Sequence, residues 1–498
     1  MRTGAEWSLV TTSNAPEQDL QSTRVVIVGG GPGGYEAALV ARRLGADVTV
    51  VEQAGLGGAA VLTDVVPSKT LIATAEWMTI ADRAPELGIQ LDGLPLAGAP
   101  GEAGGGLGTL VRHKIDLAAV NTRVKALAAA QSADIRGRLD REGVRTVLGH
   151  GRLDGPQRVL VTTATGDELT LDTDVVLVAT GATPRVLAEA VPDGERILTW
   201  TQLYDLQSLP ERLIVVGSGV TGAEFAGAYT SLGADVVLVS SRDRVLPGED
   251  ADAAELLERV FRSRGMTVMS QSRAAGARRT ADGVEVTLAD GRVVQGSHVL
   301  FAVGSVPTTA GLGLEEAGVR LKPSGHIEVD KVSRTSVRNI YAAGDVTGVL
   351  PLASVAATQG RIAMSHALGD AVTPLALRGV SANIFTAPEI ATVGLSEAAL
   401  QAQGTHYTVS MLPLARNPRA KMLGVRDGFI KIFAHPASGT VLGAVLVGPR
   451  ASESVFPLTL AVTHRMTADQ VAEAVTVYPS MSGTIAEVAR MLHHRSED

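Results

Sequence analysis

RVVIVGGGPGGYEAALVARRLGADVTVVE, residues 24–52, decides how the rest of the chain is read. Val25-Val26-Ile27-Val28 is an unbroken β-branched run, the pattern of a strand buried on both faces. The glycines Gly29-x-Gly31-x-x-Gly34 follow at once, then a helical stretch from Tyr35 to Gly45 and a second strand from Asp47 to Val51. Strand, glycine turn, helix and strand in this order make a dinucleotide-binding unit. The glycines permit a tight turn and let backbone N–H groups at the positive end of the helix reach a pyrophosphate. Glu52, 23 residues after Gly29, stands where a carboxylate accepts hydrogen bonds from ribose hydroxyls.

The pattern returns about 190 residues later, with a strand at Leu213 to Val216, the turn Gly217-x-Gly219-x-x-Gly222, a helix from Ala223 to Gly233 and a strand from Asp235 to Val239. One cofactor cannot occupy both units, so the chain has two dinucleotide sites. The second strand ends on Ser240, Ser241 and Arg242, with Arg244 nearby, instead of a carboxylate. Hydroxyls and a guanidinium can bind a 2′-phosphate, which favours NADPH over NADH; the alternative is that Arg242 is a solvated loop charge.

At 498 residues the chain is long enough for several domains, and its 45% apolar and 19% charged residues are those of an ordinary globular protein. Lys+Arg 44 against Asp+Glu 52 gives a net charge of -8 and no basic footprint for nucleic acid. Residues 1–22 read as a polar, loose tail without a signal-peptide core, and no run approaches the roughly 18 apolar residues of a membrane span. A cytoplasmic protein is expected. The cysteine count is zero, which excludes disulfides, thiolate nucleophiles, cysteine-ligated metal and dithiol relays. The ten histidines show no metal-ligand spacing, so no metal is expected.

Between the two units, Gly93 to Gly108 reads as an exposed loop and Thr109 to Glu142 as a long helix. Strands are predicted at Arg158 to Thr162 and Val175 to Ala179, a turn at Gly181 to Pro184, and a strand-rich stretch from Gly283 to Val303. Ser333 to Asp345 reads as a short strand ending in Gly344-Asp345, where a glycine admits a ligand and an aspartate accepts from a sugar-alcohol hydroxyl; by pattern alone it is equally a strand-end turn. From about Leu375 the pattern changes to strands at Phe429 to Ala434 and Val441 to Val447 with helices at Ser454 to His464 and Ala468 to Ala474, a separate α+β domain.

The two glycine motifs, Ala179-Thr180-Gly181, Ala302-Val303-Gly304, Tyr341 to Asp345 and Phe385-Thr386-Ala387-Pro388-Glu389 together resemble the flavoprotein disulfide reductases, the group of dihydrolipoamide dehydrogenase and glutathione reductase. The resemblance runs from about Thr23 to Ala489. It implies an α/β fold with two Rossmann-like domains, one for FAD and one for NAD(P), plus a C-terminal α+β dimerisation domain. The implied divisions are 23–185 and 306–374 for FAD, 186–305 for NAD(P) and 375–498 for the interface of a homodimer. It further implies that Gly29, Gly31, Gly34, Glu52, Gly58, Thr180, Gly181, Gly304 and Asp345 serve the cofactors, that Gly151 passes near the adenine, and that the helix opening at Ala353-Ser354 points at the flavin. Lys69, in Pro67-Ser68-Lys69, would lie by flavin N5 and pair with Glu224. A cation there stabilises a reduced, electron-rich ring; the alternative is a pair that only ties two domains.

The departures carry as much weight. The family's two redox cysteines fall on Ala60 and Val65, and its C-terminal His-Pro with a downstream Glu becomes Tyr478-Pro479 and Gly483. Relay and thiol base are lost together, as in the cysteine-free, lipoamide-dehydrogenase-like quinone reductases of actinobacteria, which the chain also resembles. The implied activity is hydride transfer from NAD(P)H to flavin and on to a quinone, with Tyr478 either contacting the quinone across the dimer or packing the interface. Two alternatives remain at this point: a soluble pyridine nucleotide transhydrogenase, and a non-catalytic flavin-bearing subunit or redox sensor.

Overall fold

The computed structural model describes residues 22–81, 84, 88–89 and 115–493. Nearly all of the expected polar tail, all of the glycine-rich loop at 93–108, and residues 109–114 of the expected long helix lie outside them.

The first sheet has seven strands, ordered Ile340–Ala342, Val175–Val178, Arg24–Val28, Asp47–Glu52, Arg145–Leu153, Arg158–Thr163 and Glu168–Asp172. The first five run parallel, and the far end of Arg145–Leu153 turns into an antiparallel meander. Val25 to Val28 are buried because they sit at the centre with layers on both faces. The Pro32–Arg43 helix covers one face, crossed by the Ala353–Ala367 helix. The crossing is tight enough that a Cβ on Gly360 would lie 2.0 Å from the Gly33 carbonyl oxygen.

The second sheet is all parallel, in the order Thr267–Met269, Asp235–Val239, Arg212–Val216, His298–Phe301 and Ile197–Thr199. Beside it lies an antiparallel three-stranded sheet of Ala274–Arg279, Val284–Leu288 and Val293–Gly296, which is how the strand-rich stretch before Val303 resolves. The C-terminal sheet is antiparallel: Ser381–Ile384, Glu389–Gly394, Val441–Gly448, Phe429–Ala434 and Thr408–Pro413.

Elements differ in detail from the sequence reading. The long helix is Leu117–Arg141, opened by an Asp116 side chain that accepts from Ala119 N–H at 3.0 Å. The expected helix at 454–464 is two, Ala451–Ser454 and Phe456–Thr463, because Pro457 has no N–H to continue a helix and is suited to starting one. Of the stretch 333–345 only Ile340–Ala342 is strand.

The Val65–Ala81 helix sets the site. Its buried Leu71 and Ala75 belong to the same apolar cluster as Phe225 and Tyr229 of the Val220–Ser231 helix, so the two glycine-turn domains meet along it. A second tie joins the second glycine-turn domain to the C-terminal sheet. Lys431, 4% exposed on a central strand, places its ammonium 3.0 Å from Asp250, 2.8 Å from Asp252 and 2.7 Å from Glu397. Asp250 also caps the Ala251–Ser263 helix. Burying one ammonium among three carboxylates is tolerable only because each contact is a charge-assisted hydrogen bond.

Candidate functional site

The first glycine turn is built by backbone proximity. Gly29 has φ +107°, and a Cβ there would lie 2.3 Å from the Ala179 carbonyl oxygen; a Cβ on Gly34 would lie 1.9 Å from that of Gly29. Gly31 is open, with its nearest neighbours, Gly57 and Gly58, 4.0 Å from a hypothetical Cβ. Gly58 closes the other side, where a Cβ would come within 2.9 Å of the Gly31 Cα. Glu52 accepts from Gly30 N–H at 2.6 Å and Ala54 N–H at 2.8 Å, fixing its carboxylate at the end of its strand. Gly151 is buried against Val28 and Val51.

At the other end of this groove, Gly344 has φ +83° and its N–H donates to Gln359 Oε1 at 2.9 Å. Asp345 follows, its carboxyl accepting no hydrogen bond from the described residues. Burial pushes its pKa up, partly opposed by His326. The Ala353–Ala367 helix opens with no side-chain cap, leaving its first N–H groups available. A glycine floor, an uncapped helix start and an orphaned carboxylate suit a pyrophosphate and a polyhydroxyl chain, so the residues present fit FAD.

The second turn repeats the first. A Cβ on Gly217 would meet the Ala302 carbonyl oxygen at 2.2 Å, one on Gly222 would meet the Gly217 carbonyl oxygen at 1.8 Å, and Gly219 faces open space. Here the counterpart of Glu52 turns inward: Ser240 is buried, its hydroxyl 2.7 Å from Ser218 Oγ and accepting from Arg242 N–H at 3.0 Å. Ser241 and Arg242 are the exposed groups of that trio. Thr180, Gly181 and Gly304 lie together where the chain passes between domains. Thr180 Oγ1 donates to the Thr308 carbonyl at 2.7 Å, and Arg185 N–H donates to that of Gly304 at 2.9 Å.

Lys69 and Glu224, 155 residues apart, are joined at 2.7 Å. Glu224 is 3% exposed and also accepts from Phe385 N–H at 2.8 Å, while the Lys69 ammonium lies 5.1 Å from the centre of the Phe385 ring. A carboxylate so buried costs several kcal/mol to desolvate, and the ammonium and the amide offset that cost. The result is a cation held in place by three elements, one from each part of the chain.

The profile described as pyridine nucleotide-disulphide oxidoreductase matches residues 23–360, and its dimerisation domain matches 380–489. The chain belongs to this family. It is 52% identical to the NAD(P)H dehydrogenase (quinone) of Mycobacterium tuberculosis over 94% of each chain. It is 32% identical to the dihydrolipoyl dehydrogenase of Zymomonas mobilis, over 94% of this chain and 98% of that one. The crystal structure of LpdA from Mycobacterium tuberculosis superposes with a TM-score of 0.88 at 52% identity, covering 95% of this chain and all of the other. The flavoprotein disulfide reductase RclA from Escherichia coli shares the fold at a TM-score of 0.81 and 22% identity. The family uses FAD and NAD(P)H, and the two glycine turns and the dimerisation domain are those of a family member.

Of the two positions that the family resemblance assigns to redox cysteines, Ala60 is half-buried on the Gly58–Leu62 helix and Val65 is 37% exposed at the head of the next. Tyr478 is 79% exposed, in a groove with Asn417, Thr476, Pro479, Ser480 and Arg490. In a single chain it touches none of the Lys69 constellation. Two site residues escaped the sequence reading. The Phe385 amide is a backbone partner of Glu224, invisible to side-chain reasoning, and Asp64, between Ala60 and Val65, has a carboxyl on which Lys69, Glu224 and Asp345 act. No described helix is long and apolar enough to cross a membrane.

Proposed function

We propose that this chain is a cytoplasmic, homodimeric NAD(P)H:quinone oxidoreductase whose acceptor is reduced where relatives hold a disulfide. The single observation that carries the reading is the pairing of an intact Lys69–Glu224–Phe385 constellation with Ala60 and Val65 in place of sulfur. FAD, when bound, supplies a ring that takes a hydride from the nicotinamide and returns the two electrons to an acceptor. The chain's residues do the rest. Lys69 holds positive charge where negative charge collects, and Glu224 keeps the ammonium from swinging into solvent. Ala60 and Val65 offer a flat aromatic acceptor an apolar wall. We assign Gly29, Gly31, Gly34, Glu52 and Asp345 to FAD, Gly217, Gly219 and Gly222 to the nicotinamide nucleotide, and the domain divisions expected from sequence to the working units.

Tyr478 is assigned to the acceptor bound in the partner subunit, which its exposure in a lone chain supports. Removing it as Tyr478→Ala is expected to raise the quinone KM about three- to tenfold, the worth of one aromatic contact, with the nicotinamide KM unmoved. An unchanged quinone KM returns Tyr478 to interface packing. The Asp250, Asp252 and Glu397 carboxylates are assigned to Lys431 and not to a metal ion.

NADPH preference is assigned to Ser241 and Arg242, since Ser240 spends its hydroxyl on Ser218. Arg242→Ala is expected to raise the NADPH KM about tenfold through loss of one charge-assisted contact, leaving the NADH KM within about twofold. Equal effects on both nucleotides exclude this assignment. The central test is steady-state reduction of a soluble benzoquinone by flavin-loaded protein with NADPH. Turnover no faster than free FAD sinks the reading, and faster transfer to an NAD analogue than to any quinone replaces it with transhydrogenation.

A further inference from the structure

Losing the thiol base leaves a chemical need unmet. A quinone that receives the hydride of NAD(P)H gains two electrons and one proton, and a second proton must arrive before it is a hydroquinone. The family's histidine and glutamate are Tyr478 and Gly483 here, so the acid lies elsewhere.

Asp64 occupies the turn between the Gly58–Leu62 and Val65–Ala81 helices, next to Val65 and four residues from Ala60. Its backbone is fixed on both sides: its carbonyl accepts Ser68 N–H at 2.8 Å, and its own N–H donates to the Ala59 carbonyl at 2.8 Å. Its half-buried carboxyl accepts no hydrogen bond from the described residues. The charged groups named as acting on it are Lys69 from the helix that follows, Glu224 from the Val220–Ser231 helix, and Asp345 from the turn after Ile340–Ala342. Tyr204, on the Trp200–Asp205 turn, brings a buried hydroxyl that has Ser68 and Asp64 as polar neighbours. Burial pushes the Asp64 carboxyl up to about 6, with Lys69 opposing and Glu224 and Asp345 reinforcing the shift. A general acid works best when its pKa lies near the working pH.

We infer that Asp64 is the acid that protonates the quinone oxygen, taking over from a new position the proton transfer that relatives assign to their C-terminal histidine. The O–H bond of the carboxylic acid breaks as an O–H bond forms on the quinone oxygen that has become negative. The carboxylate left behind is stabilised by the positive charge of Lys69 and regains its proton from solvent. The sum is NAD(P)H plus one proton plus quinone giving NAD(P)+ plus hydroquinone, with Asp64 unchanged. This rests on quinone reduction by the chain, and the controls separate the two claims.

Flavin-loaded wild type, Asp64→Asn and Asp64→Glu are compared with NADPH as donor and either a benzoquinone or ferricyanide, which takes electrons without a proton, as acceptor. The ratio of quinone to ferricyanide turnover is expected to fall about 10- to 100-fold in Asp64→Asn and to recover in Asp64→Glu. In wild type the same ratio declines as pH rises through the titration of Asp64, because the acid form is lost; in Asp64→Asn it is flat. Infrared titration of wild type is expected to show a carboxylic-acid carbonyl band in mildly acidic buffer that Asp64→Asn lacks. An unchanged ratio in Asp64→Asn, a pH-independent wild-type ratio, or no such band each overturns the inference. Should the asparagine variant not fold, the wild-type pH series still decides. Failure of wild type to reduce any quinone instead removes the function on which the inference depends.

Discussion

Gly34→Ala is expected to give a colourless protein. The added methyl would sit 1.9 Å from the Gly29 carbonyl oxygen, and both partners are backbone within one turn, so no side chain can swing aside. Relief requires opening the turn, which removes the N–H groups that would face a pyrophosphate. Overpacking of this kind costs about 3 kcal/mol or more, equivalent to at least about two orders of magnitude in flavin affinity. Gly222→Ala imposes the same clash, 1.8 Å from the Gly217 carbonyl oxygen, on the second unit. That variant is expected to stay yellow while NADPH bleaches it at least about 100-fold more slowly at subsaturating nucleotide. Flavin-to-protein absorbance ratios and stopped-flow bleaching read both effects. Gly34→Ala with a full complement of flavin would remove FAD from the first site.

The second large effect is expected at Lys69. Lys69→Met removes the ammonium 2.7 Å from Glu224 and leaves that buried carboxylate with only the Phe385 amide. Flavin bleaching by saturating NADPH is expected to slow about 10²- to 10³-fold, the scale of losing one preorganised electrostatic partner. Stability falls as well, because breaking a buried pair strands a charge. Lys69→Met combined with Glu224→Gln separates the two roles. The double variant recovers melting temperature, since no charge is stranded, but stays slow. If it regains the rate along with the stability, the pair is a tie between domains and nothing more.

Both glycine turns were legible because their signal is local: an apolar β-branched run, glycines at fixed spacing, then a helix, all within about thirty residues. The loss of cysteine was legible as a count. The Lys69–Glu224 contact was not a pattern in the chain, since 155 residues separate the partners; it came through family resemblance, and the Val65–Ala81 and Val220–Ser231 helices bring it about by sharing an apolar face. Ser240 shows the limit in the other direction. Sequence places a hydroxyl at the ribose end of the strand but cannot say which way it points, and Ser218 claims it. Lys431 and Asp64 gave no warning, because an isolated lysine in a strand or an aspartate in a turn has many ordinary reasons to be there. Only tertiary packing surrounds one with three carboxylates and withholds hydrogen-bond donors from the other.

The Lys431 knot limits how the molecule can breathe. Two of its carboxylates, Asp250 and Asp252, stand at the head of a helix of the second glycine-turn domain, while the ammonium and Glu397 belong to the C-terminal part. Any hinge motion that swung that domain outward would have to pull a buried cation away from its anions. Parting the two units there carries the cost of stranding a buried charge.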